Sequence, residues 1–313
     1  MTSRVLSRMP PDYDPFENDP AHTLRIWVRV FDVISAVGFL LLGAVFFTAL
    51  LSPSVKRIST WYANILAWMV FCITPFLVVG HQTHLDPPPS FSACVVDSAL
   101  MYASRPLAAF SSLALVLHLF FNVSTQLKHG EARPQHVFLL LIIPPLLYII
   151  FFLWTLMLGL LYPDLVELEP SGFYCHLKPA IPAIVVAAFV AFTTSCVIVL
   201  EVITGVLLYR NWRAFRALHM RHEHSVSLSI LIRASAFGVL PMIGLALSFT
   251  TYVPNLVDKI FPAYNILLAS LPTAAALIFG SQMDLIRVWI FWRRVPKVTD
   301  QTVSSTAFTS DVP

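Results

Sequence analysis

The sequence predicts an all-α membrane protein, a seven-transmembrane-helix bundle with a short amphipathic helix after the seventh span. Three observations carry that prediction. Seven apolar runs, each long enough to cross a bilayer, divide the 313 residues. Basic residues alternate in density between the loops that join these runs. Of four cysteines, two sit within apolar runs and two fall at one level near the ends of the bundle. With 57% hydrophobic and only 12% charged residues, a water-soluble fold is excluded.

The runs are Val33–Leu51, Trp61–Gly80, Ala93–Val123, Val137–Tyr162, Ala180–Tyr209, Leu228–Val253 and Ile260–Gly280. A helix rises about 1.5 Å per residue, so roughly 20 residues cross a hydrocarbon core of about 30 Å. Helices also satisfy their own backbone hydrogen bonds, which lipid cannot do for them. One bundle, residues 26–282, accounts for nearly the whole chain. It is flanked by an extracellular N-terminal segment (1–25), an interfacial amphipathic helix (283–295) and a disordered cytoplasmic tail (296–313). Residues 1–25 are polar and contain Pro10, Pro11, Pro15 and Pro20, so no cleavable signal peptide is expected. No internal repeat stands out, which weighs against transporters built from duplicated halves.

Orientation follows from Lys and Arg in the short loops. Loops 1–2, 3–4 and 5–6 carry eight basic residues, among them Lys56, Arg57, Lys128, Arg133 and Arg210; loops 2–3, 4–5 and 6–7 carry two, Lys178 and Lys259. The richer face is assigned to the cytoplasm, giving N-terminus out and C-terminus in. Arg4, Arg8, Arg25 and Arg29 run against this assignment, partly balanced by Asp12, Asp14, Glu17 and Asp19. The net charge of +3 carries no implication of nucleic acid, because the positive charge lies where anionic inner-leaflet lipids would be. A multi-pass location, in the plasma membrane, is expected.

Cys72 and Cys196 lie inside apolar spans and read as small packing residues. Cys94 sits at the outer start of the third span and Cys175 in the outer loop between spans four and five. Both face an oxidising compartment in the orientation above, so a Cys94–Cys175 disulfide is expected, tying the long outer loop over the third helix. Two free extracellular thiols are the alternative.

Seven spans, the N-out topology, the Cys94–Cys175 pairing and the amphipathic segment together resemble a G-protein-coupled receptor over about residues 25–295. The closing run Leu271-Pro272-Thr273-Ala274-Ala275-Ala276-Leu277-Ile278-Phe279-Gly280 resembles the seventh-helix end of cAMP-receptor-like, secretin-like and fungal seven-helix receptors. The rhodopsin-like motifs are missing. Phe120-Phe121-Asn122-Val123-Ser124 stands where an acidic-Arg-Tyr triplet would be, and no Asn-Pro-x-x-Tyr accompanies Pro272. The mid-helix-three Asp that recognises aromatic amines is absent too. The resemblance therefore implies the receptor architecture, an extracellular ligand and a heterotrimeric G protein as partner, without the rhodopsin-like activation motifs.

Charges within spans are costly, about 2.5–3.5 kcal/mol each at mid-bilayer, and normally face the bundle interior. Asp97, Met101 and Arg105 recur at i, i+4 and i+8 in the third span, with Arg105 about 16 Å below Cys94 by helix rise. They are candidates for lining an outward-opening ligand pocket, with an internal structural network or bound water as the alternative. Pro106 is expected to disturb the helix there. Glu201 and Arg233 fall at similar depth on spans five and six and are candidates for an activation switch bridging the two helices. Separate snorkelling of each side chain is the alternative.

Arg210, Trp212, Arg213, Phe215 and Arg216 continue span five as an amphipathic stretch, apolar on one stripe and basic on the next. In a receptor it would meet the G protein; otherwise it rests on anionic headgroups. Asp284 to Arg294, with Trp289 and Trp292, reads as a helix lying along the inner interface. The tail beyond Pro296 holds several Ser and Thr as possible kinase targets. Neither His219, His222 and His224 nor His81, His84 and Asp86 has enough ligands at defined spacing to predict a metal, and no cofactor is expected.

Two other classes are disfavoured. A retinal protein needs a Schiff-base Lys, and Leu267–Gly280 has none. An intramembrane hydrolase needs paired catalytic groups, and His118 stands alone in mid-span, as a packed, hydrogen-bonded histidine would. No enzyme activity is expected. A small-solute transporter or channel with a polar midplane site around Arg105 is the alternative to the receptor.

Overall fold

A computed structural model describes residues 20–52, 55, 57–82, 87–127, 134–169, 172–178, 180–211, 243 and 257–290. Its helices are α1 (Pro20–Leu51), α2 (Ser59–Ile73), α3 (Phe91–Leu127), α4 (Pro134–Leu161), α5 (Ala180–Arg210), α6 (Val257–Gly280) and α7 (Met283–Ile290). A two-stranded antiparallel hairpin, β1 (Val166–Leu168) and β2 (Cys175–Leu177), lies between α4 and α5. Six of the described helical segments, α1 to α6 with α2 extended by the 3-10 turn to Val78, are long and apolar enough to cross a membrane, which makes this a multi-pass membrane protein. The predicted span Leu228–Val253 lies, except for Ile243, outside the described residues, so α6 corresponds to the seventh predicted run.

α3 is the axis of the bundle, packing against α2, α4, α5 and the hairpin, while α1 packs on α2 and α6. Its sequence explains the position. Ser98, Ala99, Ala103, Ser104, Ala108, Ser111, Ser112 and Ala114 are all buried, and small side chains let neighbouring helices approach closely. α4 and α5 instead present Phe138, Leu146, Ile150, Phe192, Val199 and Val202 outward, as lipid-facing helices do. Gly38 of α1 marks another close approach: a β-carbon there would meet Thr273 Oγ1 at 3.0 Å and Cys72 Sγ at 3.3 Å.

Two prolines act differently. Pro75 has no N–H to donate four residues back, and α2 gives way at Ile73 to a 3-10 turn, Thr74–Val78, rather than running regularly to Gly80. Pro106 withholds a bond from the Tyr102 carbonyl, yet α3 remains helical from Phe91 to Leu127, supported on its sides by its neighbours. α1 begins at Pro20, over three turns before the first predicted run, because Arg25 and Arg29 continue the helix beyond its apolar part.

The main core joins α1, α2, α3, α6 and α7 through Leu42, Val45, Trp61, Ile65, Leu115, Ala275, Phe279 and Leu285. Trp61 meets Phe279 edge-on, centroids 5.9 Å apart. A second core joins α3 to α4 and α5, where Phe189 stacks on Phe110 and meets Phe151. A polar seam runs between α2 and α3: Asn64 Oδ1 accepts from Ser111 and Ser112 hydroxyls at 3.1 Å each, and Thr60 Oγ1 pairs with His118 Nδ1 at 2.8 Å. His118 is thus a packed, hydrogen-bonded histidine.

α7 is docked as well as amphipathic. Leu285 is fully buried in the main core, and Trp289 Nε1 donates to Thr48 Oγ1 at 2.9 Å. Asp284 pairs with Arg57 at 3.3 Å, and the Arg57 guanidinium lies over Trp61. Residues 291–295 of the expected interfacial helix lie outside the described residues, as does the tail.

Candidate functional site

The hairpin builds the site by covering one end of the bundle. Cys94, at the start of α3, is disulfide-bonded to Cys175 of β2, with α-carbons 5.2 Å apart. One turn along α3, Asp97 accepts a hydrogen bond from the Cys175 N–H at 2.8 Å. β2 is therefore held to α3 both covalently and by a buried hydrogen bond. Register Val166↔Leu177, Glu167↔His176 and Leu168↔Cys175 aligns β1 with it, and Glu167 reaches Lys178 at 3.0 Å and His176 at 3.8 Å.

Between the strands the chain dips into the bundle. Gly172 takes a positive φ of 76°, which delivers Phe173 and Tyr174 inward. Phe173 is fully buried, its ring 4.8 Å from Phe31 of α1, and both cluster with Val28, Met101, Tyr174 and Ala269. Gln82 Nε2 fastens this corner, donating to Asp32 Oδ1 at 3.1 Å and to the Phe173 carbonyl at 3.5 Å.

Beside this plug lies a small cavity lined by Phe31 and Ser35 of α1, Phe71 and Pro75, Met101 and Arg105 of α3, and Asn265, Leu268 and Ala269 of α6. It leaves about 20 Å³ for the centre of a water-sized sphere, on the scale of one water. Arg105 hydrogen-bonds to the Tyr174 side chain, with its guanidinium carbon 5.5 Å from that ring's centre. Tyr102 and Tyr264 are the other groups that act on its charge. Burial pushes the Tyr174 phenol up to about 12, against the pull of Arg105, so this partner is neutral at physiological pH.

The expected trio thus divides. Met101 and Arg105 line the cavity, whereas Asp97 is fully buried and holds the hairpin. Glu201 lies on α5 with Oε1 buried and unpaired among the described residues. Its expected partner Arg233 lies outside them, as do Trp212, Arg213, Phe215 and Arg216; Arg210 is the last residue of α5. Asn265, Ser35, Tyr174 and Gly172 were not anticipated. Asn265 carried a signal, being a polar residue in the seventh apolar run.

The hairpin also has an acid-sensitive element. Burial holds the His176 imidazole below its ordinary value of 6.5, with Glu167 opposing and Lys178 assisting. A histidine whose value is lowered by folding binds fewer protons folded than unfolded. Its support is complete above the ordinary value and lost as pH falls below it. Thermal stability of the protein in nanodiscs should decline from about pH 6.5 downwards, and His176→Gln should flatten that decline.

Compared with family models and with curated proteins, the chain matches none.

Proposed function

We propose that this protein is a seven-transmembrane receptor that detects an extracellular ligand and signals to a cytoplasmic heterotrimeric G protein. The observation that carries the reading is the small cavity between α1, α2, α3 and α6, whose Phe31, Met101 and Arg105 also meet the corner of the disulfide-held hairpin. A disulfide is at home in an oxidising compartment, which supports placing the hairpin outside. The opposite end, with α7 locked to α1 and Arg57, then faces the cytoplasm, in keeping with the basic loops. Epitope tags at the two termini of intact cells test the orientation. Access to a C-terminal tag without permeabilisation would reverse it.

Coupling is tested by guanine-nucleotide exchange on Gα subunits with the purified protein in nanodiscs. Acceleration of exchange is expected; its absence across all Gα classes, with a set of candidate ligands present, counts against the receptor. The switch is tested in the same assay. If Glu201 and Arg233 bridge spans five and six, Glu201→Gln frees Arg233 to reach water and raises basal exchange. A charge-swapped double variant should restore much of the resting behaviour. Purely additive single effects, with coupling below about 0.5 kcal/mol, would show that the two residues do not interact.

A further inference from the structure

We infer that the cavity beside Arg105 is an anion site, shaped to hold a carboxylate or a comparably small anion between the Arg105 guanidinium and the Asn265 amide. This rests on reading the cavity as the ligand site and names the class of group it takes.

Two N–H donors carry the argument. Arg105 Nε and Asn265 Nδ2 are both buried with no acceptor among the described residues. Both residues line the same cavity, and Asn265 is only 2% exposed. Buried donors are normally paired, so two orphans on residues that line one space mark a missing acceptor. Among the described residues the wall offers only the Ser35 hydroxyl and the Asn265 carbonyl oxygen as acceptors, neither of them paired with these two donors, and no carboxylate.

Charge narrows the choice. Among the described residues Arg105 has no ion-pair partner, and the groups that act on it are the phenols of Tyr102, Tyr174 and Tyr264. Asp97, two turns away, is directed to the Cys175 N–H instead. A guanidinium cannot shed its proton to relieve this. A cation would be repelled here, and a neutral acceptor would satisfy the hydrogen bonds but leave the charge. An anion does both. A carboxylate suits the planar fork of Arg best, since it can accept from two N–H groups side by side. Size sets the limit: space on the scale of one water admits at most a small carboxylate or a halide, and not a carboxylate that carries a polyhydroxylated body.

Without an anion the site is costly to the fold, which gives the test a signature that a structural arginine lacks. Purified full-length protein in nanodiscs of zwitterionic lipid is melted at constant ionic strength. Sodium gluconate, too bulky for the cavity, is replaced stepwise by formate, acetate or chloride. Formate and acetate are expected to raise the melting temperature saturably, as a ligand of the native state does. Chloride acting as strongly would assign the site to small inorganic anions, and a weaker chloride effect would assign it to carboxylates. Arg105→Gln should abolish the response. Arg105→Lys, and separately Asn265→Leu, should weaken it about tenfold, equivalent to about 1.4 kcal/mol.

The inference is overturned if no small anion acts beyond gluconate, or if Arg105→Gln keeps the response. Anion-dependent stabilisation without any effect on Gα exchange would uphold the site and count against the receptor. Exchange with no anion response would overturn the site alone.

Discussion

Gly172→Ala should unseat the Phe173–Tyr174 corner and lower stability by about 2–5 kcal/mol. The position has φ of 76°, and a β-carbon there would run into the carbonyl oxygen of Gln82. Two costs add: about 1–2 kcal/mol for the left-handed backbone and about 1–3 kcal/mol for the overpacked contact. The clash is with backbone, so no side-chain rotation can relieve it. Gln82 itself cannot retreat without loosening its bonds to Asp32 and Phe173. Melting in nanodiscs measures the loss. Gly172→Asn separates the two causes, because asparagine tolerates this backbone but carries the same β-carbon. Full rescue by asparagine would show that strain alone matters and that the close approach does not. Gly205→Ala on α5 is the control: a β-carbon there meets nothing within 4 Å, so a small gain of about 0.4–1 kcal/mol is expected.

Gly172 also shows where sequence reasoning ends. Six of the seven predicted spans were legible because bilayer thickness imposes a length and a composition that a single sequence displays directly. The Cys94–Cys175 bond was legible because topology placed the two cysteines at one level, and the structure contains it. The hairpin was not. Its strands are three residues each, too short for alternation to register, and its shape comes from tethers to α3 rather than from local propensity. A glycine in a polar loop reads the same whether it is conformationally idle or wedged against Gln82.

The site was legible in part for a related reason. A charge in an apolar run announces itself by its insertion cost, which pointed to Asp97, Arg105 and Glu201. Cost says that a residue needs a partner; it does not say which. Asp97 and Arg105 share a stripe on α3, yet one is spent on the hairpin backbone and the other faces the cavity. The difference comes from the inward dip of residues 172–174, which no helical periodicity encodes. Asn265 was visible as a polar residue in a span, but only the packing of α6 against α1 and α3 makes it a neighbour of Arg105's cavity.

Removing the disulfide should cost about 2–4 kcal/mol, and the loss should depend on Asp97. With a sequence separation of 81 between the two cysteines, the chain-entropy relation gives about 4.5 kcal/mol. That value assumes a free unfolded chain. In a membrane, α3 and α4 stay inserted as helices when tertiary packing is lost, so less freedom is recovered and the lower range applies. Cys94→Ala/Cys175→Ala measures it. Asp97→Ala leaves the buried Cys175 N–H without its acceptor, for about 1–3 kcal/mol. Both changes act on the same residue of β2, so their effects should not add. While either tether remains, Cys175 stays near α3 and the other contact is preorganised; once one is gone, the second holds a looser strand. The triple variant should therefore show a coupling of at least about 0.5 kcal/mol in a double-mutant cycle. The anion response of Arg105 gives an independent readout, because Tyr174 adjoins Cys175 and hydrogen-bonds to Arg105. It should weaken in step with the melting temperature. Strict additivity, with an unchanged anion response in the triple variant, would mean that the hairpin keeps its seat through Phe173 and Gln82 alone.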